Sequence, residues 1–160
     1  MYKAVSRSLI CPHCGKLVDD NRRHKEQTGG YFAFLHHVFK SWPEADEWRP
    51  PSADMLRQWI LIWCGHTEPP FYHDVINGDG MRFALAYIEH KKAQGRLIEV
   101  IENGGMIEMI EAISQKEAKM GHREFNAVAQ DVFDFIKDRT GIDYEKWLEL
   151  GKKRRGEQKL

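Results

Sequence analysis

The sequence predicts an α+β fold, with helices packed on a small antiparallel sheet or hairpin behind an N-terminal arm that carries a CPxCG turn. Three observations lead there. Apolar residues recur at helical spacing in four separate stretches, a β-rich run ends in Asn103-Gly104-Gly105, and Cys11-Pro12-His13-Cys14-Gly15 interrupts the first stretch of chain. With 160 residues the chain can bury one real core. The expected organisation is an arm over 1–20, one domain over 21–150 and a basic tail over 151–160.

In chain order, Tyr31, Phe32, Leu35, Val38, Phe39 and Trp42 mark a first helix that Pro43 ends. The unusual Glu26, Gly29 and Gly30 before it place its first regular turn at Tyr31. After a polar loop over 44–51, Ser52 is a good N-cap for a second helix. Met55, Leu56, Trp59, Ile60 and Trp63 form its apolar stripe, and Gly65 ends it. Asn77-Gly78-Asp79-Gly80 reads as a turn, lacking the lysine and spacing of a phosphate loop. A third helix over 81–94 buries Phe83, Ala84, Tyr87 and Ile88 and stops at Gly95.

Residues 97–102 then form a strand, and the Asn-Gly-Gly turn returns a second strand over 106–113. Met106, Met109, Ile110 and Ile113 also fit a helix face, and the turn chemistry decides for the hairpin. A last long helix over 122–140 carries Phe125, Val128, Ala129, Val132 and Ile136 on one side and is capped by Gly141. A short helix over 144–150 precedes the tail.

Net charge is zero but unevenly spread. Lys3, Arg7, Lys16, Arg22, Arg23 and Lys25 face only Asp19 and Asp20 at the start. Lys152, Lys153, Arg154, Arg155 and Lys159 face only Glu157 at the end, so the middle is acidic. Such a distribution suits a polyanion held by the ends, or a protein partner docked on an acidic face. No apolar run reaches the roughly 18 residues of a membrane-spanning helix, and no secretory h-region follows Met1. The expectation is a protein that stays in the cytoplasm.

Three cysteines make a poor disulfide framework, and two of them sit in a tight CxxC pair. Cys11 and Cys14 can reach one metal, but a structural zinc needs four ligands. Cys64 and His66 are the preferred completion, giving a Cys3His site; His24 with His36 or His37 is the alternative. His66-Thr67-Glu68 with the two cysteines also supplies the residue types of a zinc hydrolase or deaminase. The order is reversed, because those enzymes place H-x-E ahead of P-C-x-x-C.

Two segments carry a family resemblance. Arg23-His24-Lys25-Glu26-Gln27 runs into Tyr31-Phe32-Ala33-Phe34-Leu35, and Ala112-Ile113-Ser114-Gln115 leads through Lys119-Met120 to Glu124-Phe125. Together they resemble the NinB (Orf) recombination-mediator family of lambdoid phages, over roughly 21–142. The resemblance implies an α+β fold, a homodimer, binding of single-stranded DNA and a bacterial host cell. The CPHCG arm replaces the extended ribbon with which that family begins.

The residue chemistry points the same way. Arg22, Arg23, His24, Lys25 and Gln27 cluster before the first helix, and Lys116, Lys119 and Arg123 before the last. Such groups suit phosphates, and Tyr31 and His24 are candidate stacking platforms for bases. The expected function is a non-catalytic single-stranded-DNA-binding accessory protein. A protein-binding module and a zinc hydrolase or deaminase are the rivals.

Overall fold

The computed structural model describes residues 9–10, 17–18, 25–74, 76, 78–116 and 119–157, with backbone alone at 9–10, 17–18, 25–27 and 155–157. Its elements are β1 (Leu9–Ile10), β2 (Leu17–Val18), α1 (Lys25–Lys40), α2 (Ala53–Trp63), β3 (Phe71–Asp74), α3 (Gly78–Ala93), β4 (Ile98–Asn103), β5 (Met106–Glu111), α4 (His122–Thr140) and α5 (Tyr144–Glu157). The helices pack on a three-stranded antiparallel sheet of order β3-β5-β4, which is the expected α+β class. A separate ladder pairs β1 with β2. Cys11 and Cys14 lie between those two strands, outside the described residues.

The hairpin forms as the turn chemistry predicts. Gly104 and Gly105 both have positive φ, 59° and 85°, which a two-residue hairpin loop of matching twist requires. Asn103 pairs with Met106, and the register runs to Ile98 opposite Glu111. β3 was not expected: it pairs with β5 from Phe71–Met109 to Asp74–Met106. Gly78-Asp79-Gly80, read as a turn, instead form the first residues of α3.

α1 starts at Lys25 rather than Tyr31, running through two glycines. Glycine inside a helix costs about 1 kcal/mol relative to alanine. At Gly30 packing explains the choice, since an added Cβ would lie 3.2 Å from the Tyr144 hydroxyl of α5. α5 runs on to Glu157, so much of the expected basic tail is helical.

Most of the core lies among α1, α2 and α4. Tyr31, Phe34, Leu35 and Val38 meet Leu56, Ile60 and Leu61, and Phe125, Val128, Val132 and Ile136 close the layer. Each large apolar side chain buried there contributes roughly 1.5–3 kcal/mol. A smaller core joins α3 to the sheet through Ala84, Ile107 and Met109. Two expected core residues are outside: Trp63 is 59% exposed and Phe83 is 52% exposed. On α2 the buried face instead includes Gln58.

Gln58 clamps the α3–β4 junction. Its Nε2 donates to Asp54 Oδ2 at 2.7 Å and to the Gly95 carbonyl at 2.8 Å, and its Oε1 accepts from the Leu97 N–H at 2.8 Å. The loop after α1 is tied down by Arg139 of α4, whose Nε and Nη2 each donate to Asp46 at 2.9 Å. The same guanidinium lies 4.9 Å from the Trp59 ring centroid, and Trp59 stacks on Trp48. Hydrogen bonding to Arg139 holds the Asp46 carboxyl below the usual carboxylate range.

Candidate nucleic-acid interface

α1, α2 and the chain leaving β5 enclose a cleft of about 380 Å³, within the usual range for small ligands. It is lined by Thr28, Phe32, Asp54, Arg57, Arg96, Ser114, Gln115 and Lys116. Thr28 and Phe32 are one turn apart on α1, while Tyr31, Phe34 and Leu35 turn inward. Asp54 and Arg57 share the first turns of α2, which Ser52 starts by accepting from the Met55 N–H at 3.1 Å.

Arg96 is placed by a helix stop. Gly95 (φ 73°) follows α3 in the left-handed region, its N–H reaching the Lys92 carbonyl and that of Arg96 the Lys91 carbonyl. The guanidinium then turns back to β5, donating from Nε to Glu111 Oε2 (3.1 Å) and from Nη2 to the Ala112 carbonyl (2.6 Å). Lys91 also donates to Glu111, at 2.9 Å. Burial opposes ionisation of Glu111, but the hydrogen bonds from Lys91 and Arg96 outweigh it and hold its carboxyl below the usual range.

Gln115 forms the inner wall and is only 6% exposed. Its Oε1 accepts from Arg57 Nη1 at 3.0 Å and from the Tyr31 hydroxyl at 3.2 Å. A guanidinium only donates, so the amide oxygen must face Arg57 and the nitrogen must face the other way. That Nε2 finds no partner among the described residues. An unmet buried donor costs about 1–3 kcal/mol, and this is the buried side-chain group of the cleft's lining left without a partner among the described residues. Arg57 also chelates Asp54 Oδ1 through Nε and Nη2, at 3.0 and 2.8 Å.

Arg57, Arg96 and Lys116 thus meet one lining carboxylate, Asp54, and Phe32 presents a 42% exposed ring. Cations beside an open aromatic face are the chemistry of a single-strand groove.

The structure distributes the expected residues unequally. Lys116 lines the cleft, and Lys119 and Arg123 follow it exposed into α4, after the Lys119 and Met120 N–H groups close a turn on the Lys116 carbonyl. Lys25 and Gln27 lie in the first turn of α1, whose Thr28 borders the cleft. Arg22, Arg23 and His24 lie outside the described residues. Tyr31 is no stacking platform: it is 1% exposed and packs edge-to-face against Phe125 in the core. Phe32, its neighbour, takes the exposed position. Arg57, Arg96 and Gln115 were not anticipated as site residues; the glycine stop before Arg96 and the place of Gln115 in a resembling segment were the signals present.

Cys64 and His66 sit at the end of α2. Gly65 (φ 80°) lets the His66 N–H reach the Leu61 carbonyl at 2.8 Å, the same stop that places Arg96. His66 Nε2 meets Asp131 Oδ2 at 2.7 Å, and the Cys64 thiol donates to the Asp131 carbonyl at 3.7 Å. Among the described residues no three His, Cys, Asp or Glu side chains are gathered for a metal. The pair nevertheless suits one: a carboxylate on Nε2 leaves Nδ1 as the ligating nitrogen, the usual outer-sphere arrangement of zinc histidines. Burial and the Asp131 carboxylate push the metal-free thiol up to about 11, so a bound metal would have to displace its proton. Glu68, the glutamate of His66-Thr67-Glu68, is occupied structurally, accepting from the Ser114 N–H at 3.1 Å.

A larger cleft of about 550 Å³ lies against α4 and α5. Asp134, Asp143 and Glu145 line it against Lys137 alone, and Lys137 is paired with Asp143 at 2.9 Å. That charge repels phosphate, which favours the smaller cleft as the nucleic-acid site. Among the described residues no helix is long and apolar enough to cross a membrane. Compared with protein-family models, curated proteins and solved structures, the chain matches none.

Proposed function

We propose that this chain binds single-stranded DNA in the cleft between α1, α2 and the β5–α4 connection. In this reading it is a non-catalytic recombination accessory protein of a phage or prophage, acting as a homodimer in the host cytoplasm. The observation that carries the reading is the composition of the cleft: three cations, an open Phe32 ring and a buried amide in one concavity. The resemblance to NinB supports it, because Phe32 comes from one resembling segment and Ser114 and Gln115 from the other. A structural zinc held by Cys11, Cys14, Cys64 and His66 belongs to the proposal as a clip for the N-terminal arm.

The test is fluorescence anisotropy of labelled single and double strands at low salt. Single strands are expected to bind more tightly, with affinity falling as salt rises because phosphate contacts release counterions. No binding of single strands at low salt would overturn the reading.

A protein-binding role is the second reading, favoured by one face of the sheet. Tyr72, Ile101 and Met106 are exposed there beside Glu99 and Glu108, and the register puts no basic side chain among them. A stable protein complex captured with no oligonucleotide binding would favour it.

A further inference from the structure

We infer that two copies of this chain join edge to edge through β4, about a two-fold axis at Val100. This rests on the homodimer of the reading above and names its interface.

The two outer edges of the sheet are unlike. β3 spans four residues and follows Pro69-Pro70, which offer no N–H to a further strand. β4 pairs with β5 in an unbroken register over six residues, and it contains neither proline nor lysine, the residues that guard an edge. Among the described residues no strand lies on its outer side. Val100 and Ile101 are both exposed there, one on each face of the sheet.

The register selects the strand that fits. The two-residue turn makes Asn103 and Met106 a hydrogen-bonded pair, so Glu99, Ile101 and Asn103 direct their backbone groups to β5. Those of Ile98, Val100 and Glu102 therefore face outward. A two-fold joint uses one patch twice and must be self-complementary. An antiparallel second β4 meets this condition, with Val100 opposite its own counterpart and Ile98 opposite Glu102 of the second copy. About six backbone hydrogen bonds form in that arrangement. Between those pairs Glu99 falls opposite Ile101, so no two carboxylates face each other directly. An axis at Glu99 would oppose the two glutamates, and one at Ile101 would leave Ile98 without a partner.

α3 supplies the cover. Ala84 points at the sheet, and Phe83 and Tyr87 lie against Phe71 on the β3 side. At about 100° per residue, Met81 and Leu85 fall on the other flank of the helix, toward the β4 edge. Both are exposed although apolar, and in the joined pair they flank the two valines at the axis. The joint also carries the smaller core of Ala84, Ile107 and Met109 across to the second copy.

The experiment is sedimentation equilibrium of the full-length protein over a range of concentrations. Wild type is expected to form a reversible dimer. Val100→Glu sets two carboxylates face to face at the axis and should raise the dissociation constant about tenfold or more. Tyr72→Lys guards the other edge and should leave the dimer unchanged. Val100→Cys tests the register. Opposed residues of such a pair lie about 5.5 Å apart between Cα atoms, within disulfide reach, so oxidation should cross-link this variant beyond the wild-type level. Glu102→Cys, whose two copies stand four residues apart along the joint, should not cross-link.

A wild type that stays monomeric at every concentration overturns the inference and the homodimer with it, while the oligonucleotide assay still decides the single-strand reading. A dimer that Val100→Glu leaves intact, or that Tyr72→Lys breaks, overturns the β4 joint alone. If Val100→Glu unfolds, the cysteine variants decide: no excess cross-linking in Val100→Cys, or as much in Glu102→Cys, overturns it too.

Discussion

Replacing Gln58 with leucine tests how the cleft is held open. The side chain is 1% exposed and makes three hydrogen bonds, two of them to the backbone around Gly95. Leucine fills a similar volume but strands the Leu97 N–H, at about 1–3 kcal/mol for a buried donor without a partner. The Gly95 carbonyl belongs to an exposed residue and recovers its bond from water, so it adds little. A net loss of about 2 kcal/mol is expected, which for a domain of this size lowers Tm by roughly 4–8 °C. The effect should reach the site from both sides. Asp54, which Gln58 holds, orients Arg57, and the Gly95–Leu97 turn carries Arg96. Thermal unfolding and oligonucleotide binding measured on the same preparation check both parts. A Tm within about 2 °C of wild type would refute the clamp, because that is less than 1 kcal/mol at this chain length. An unchanged affinity in a destabilised variant would refute the link to the cleft.

Lys116→Glu should weaken single-strand binding and flatten its salt dependence by about 0.7 in logarithmic slope for each phosphate that is no longer neutralised. Asp46→Asn should cost about 1–3 kcal/mol by breaking a charged pair of hydrogen bonds with Arg139, and denaturant titration measures it. Folding lowers the Asp46 pKa, so its contribution is complete at neutral pH and is lost as pH falls below about 4; the asparagine variant should lack that acid-side component. Gly105→Ala meets both a positive φ of 85° and a Cβ position 2.7 Å from Ile76 Cγ1, and should destabilise the hairpin by at least about 1–2 kcal/mol in hydrogen exchange. Purified full-length protein should carry about one zinc per chain and lose it in Cys64→Ala; a content under about a tenth of an equivalent would remove the metal from the proposal.

The elements legible in the sequence are those whose signals are local. α4 appears over its expected span because the apolar stripe and Gly141 lie within one helix. The β4–β5 hairpin is legible because two adjacent glycines specify its turn. β3 is short, follows two prolines and owes its existence to a partner far along the chain, so no window around Phe71 reveals it. The start of α1 is hidden by Gly29-Gly30, since the reason for Gly30 is a tyrosine in α5. Helical spacing places Tyr31 and Phe32 on one stripe, and only packing against Phe125 decides which ring is buried. Gln58 carries no signal in the sequence and Gln115 only its place in a resembling segment, because the partners that bury both amides are distant in sequence.

The two cores differ in size, and the cleft straddles the boundary between them. Arg57 stands on a helix packed into the large core, whereas Arg96 follows α3, which packs on the sheet through Ala84, Ile107 and Met109, and is held at Glu111 and Ala112. Regions with few buried neighbours open at lower free energy than the molecule as a whole. The amides of α3 should therefore exchange sooner than those of α4, and each opening loosens the Gly95–Leu97 turn that carries Arg96. A strand that touches both arginines would bind only the closed arrangement, so its arrival would appear as slowed exchange along α3, far from any base.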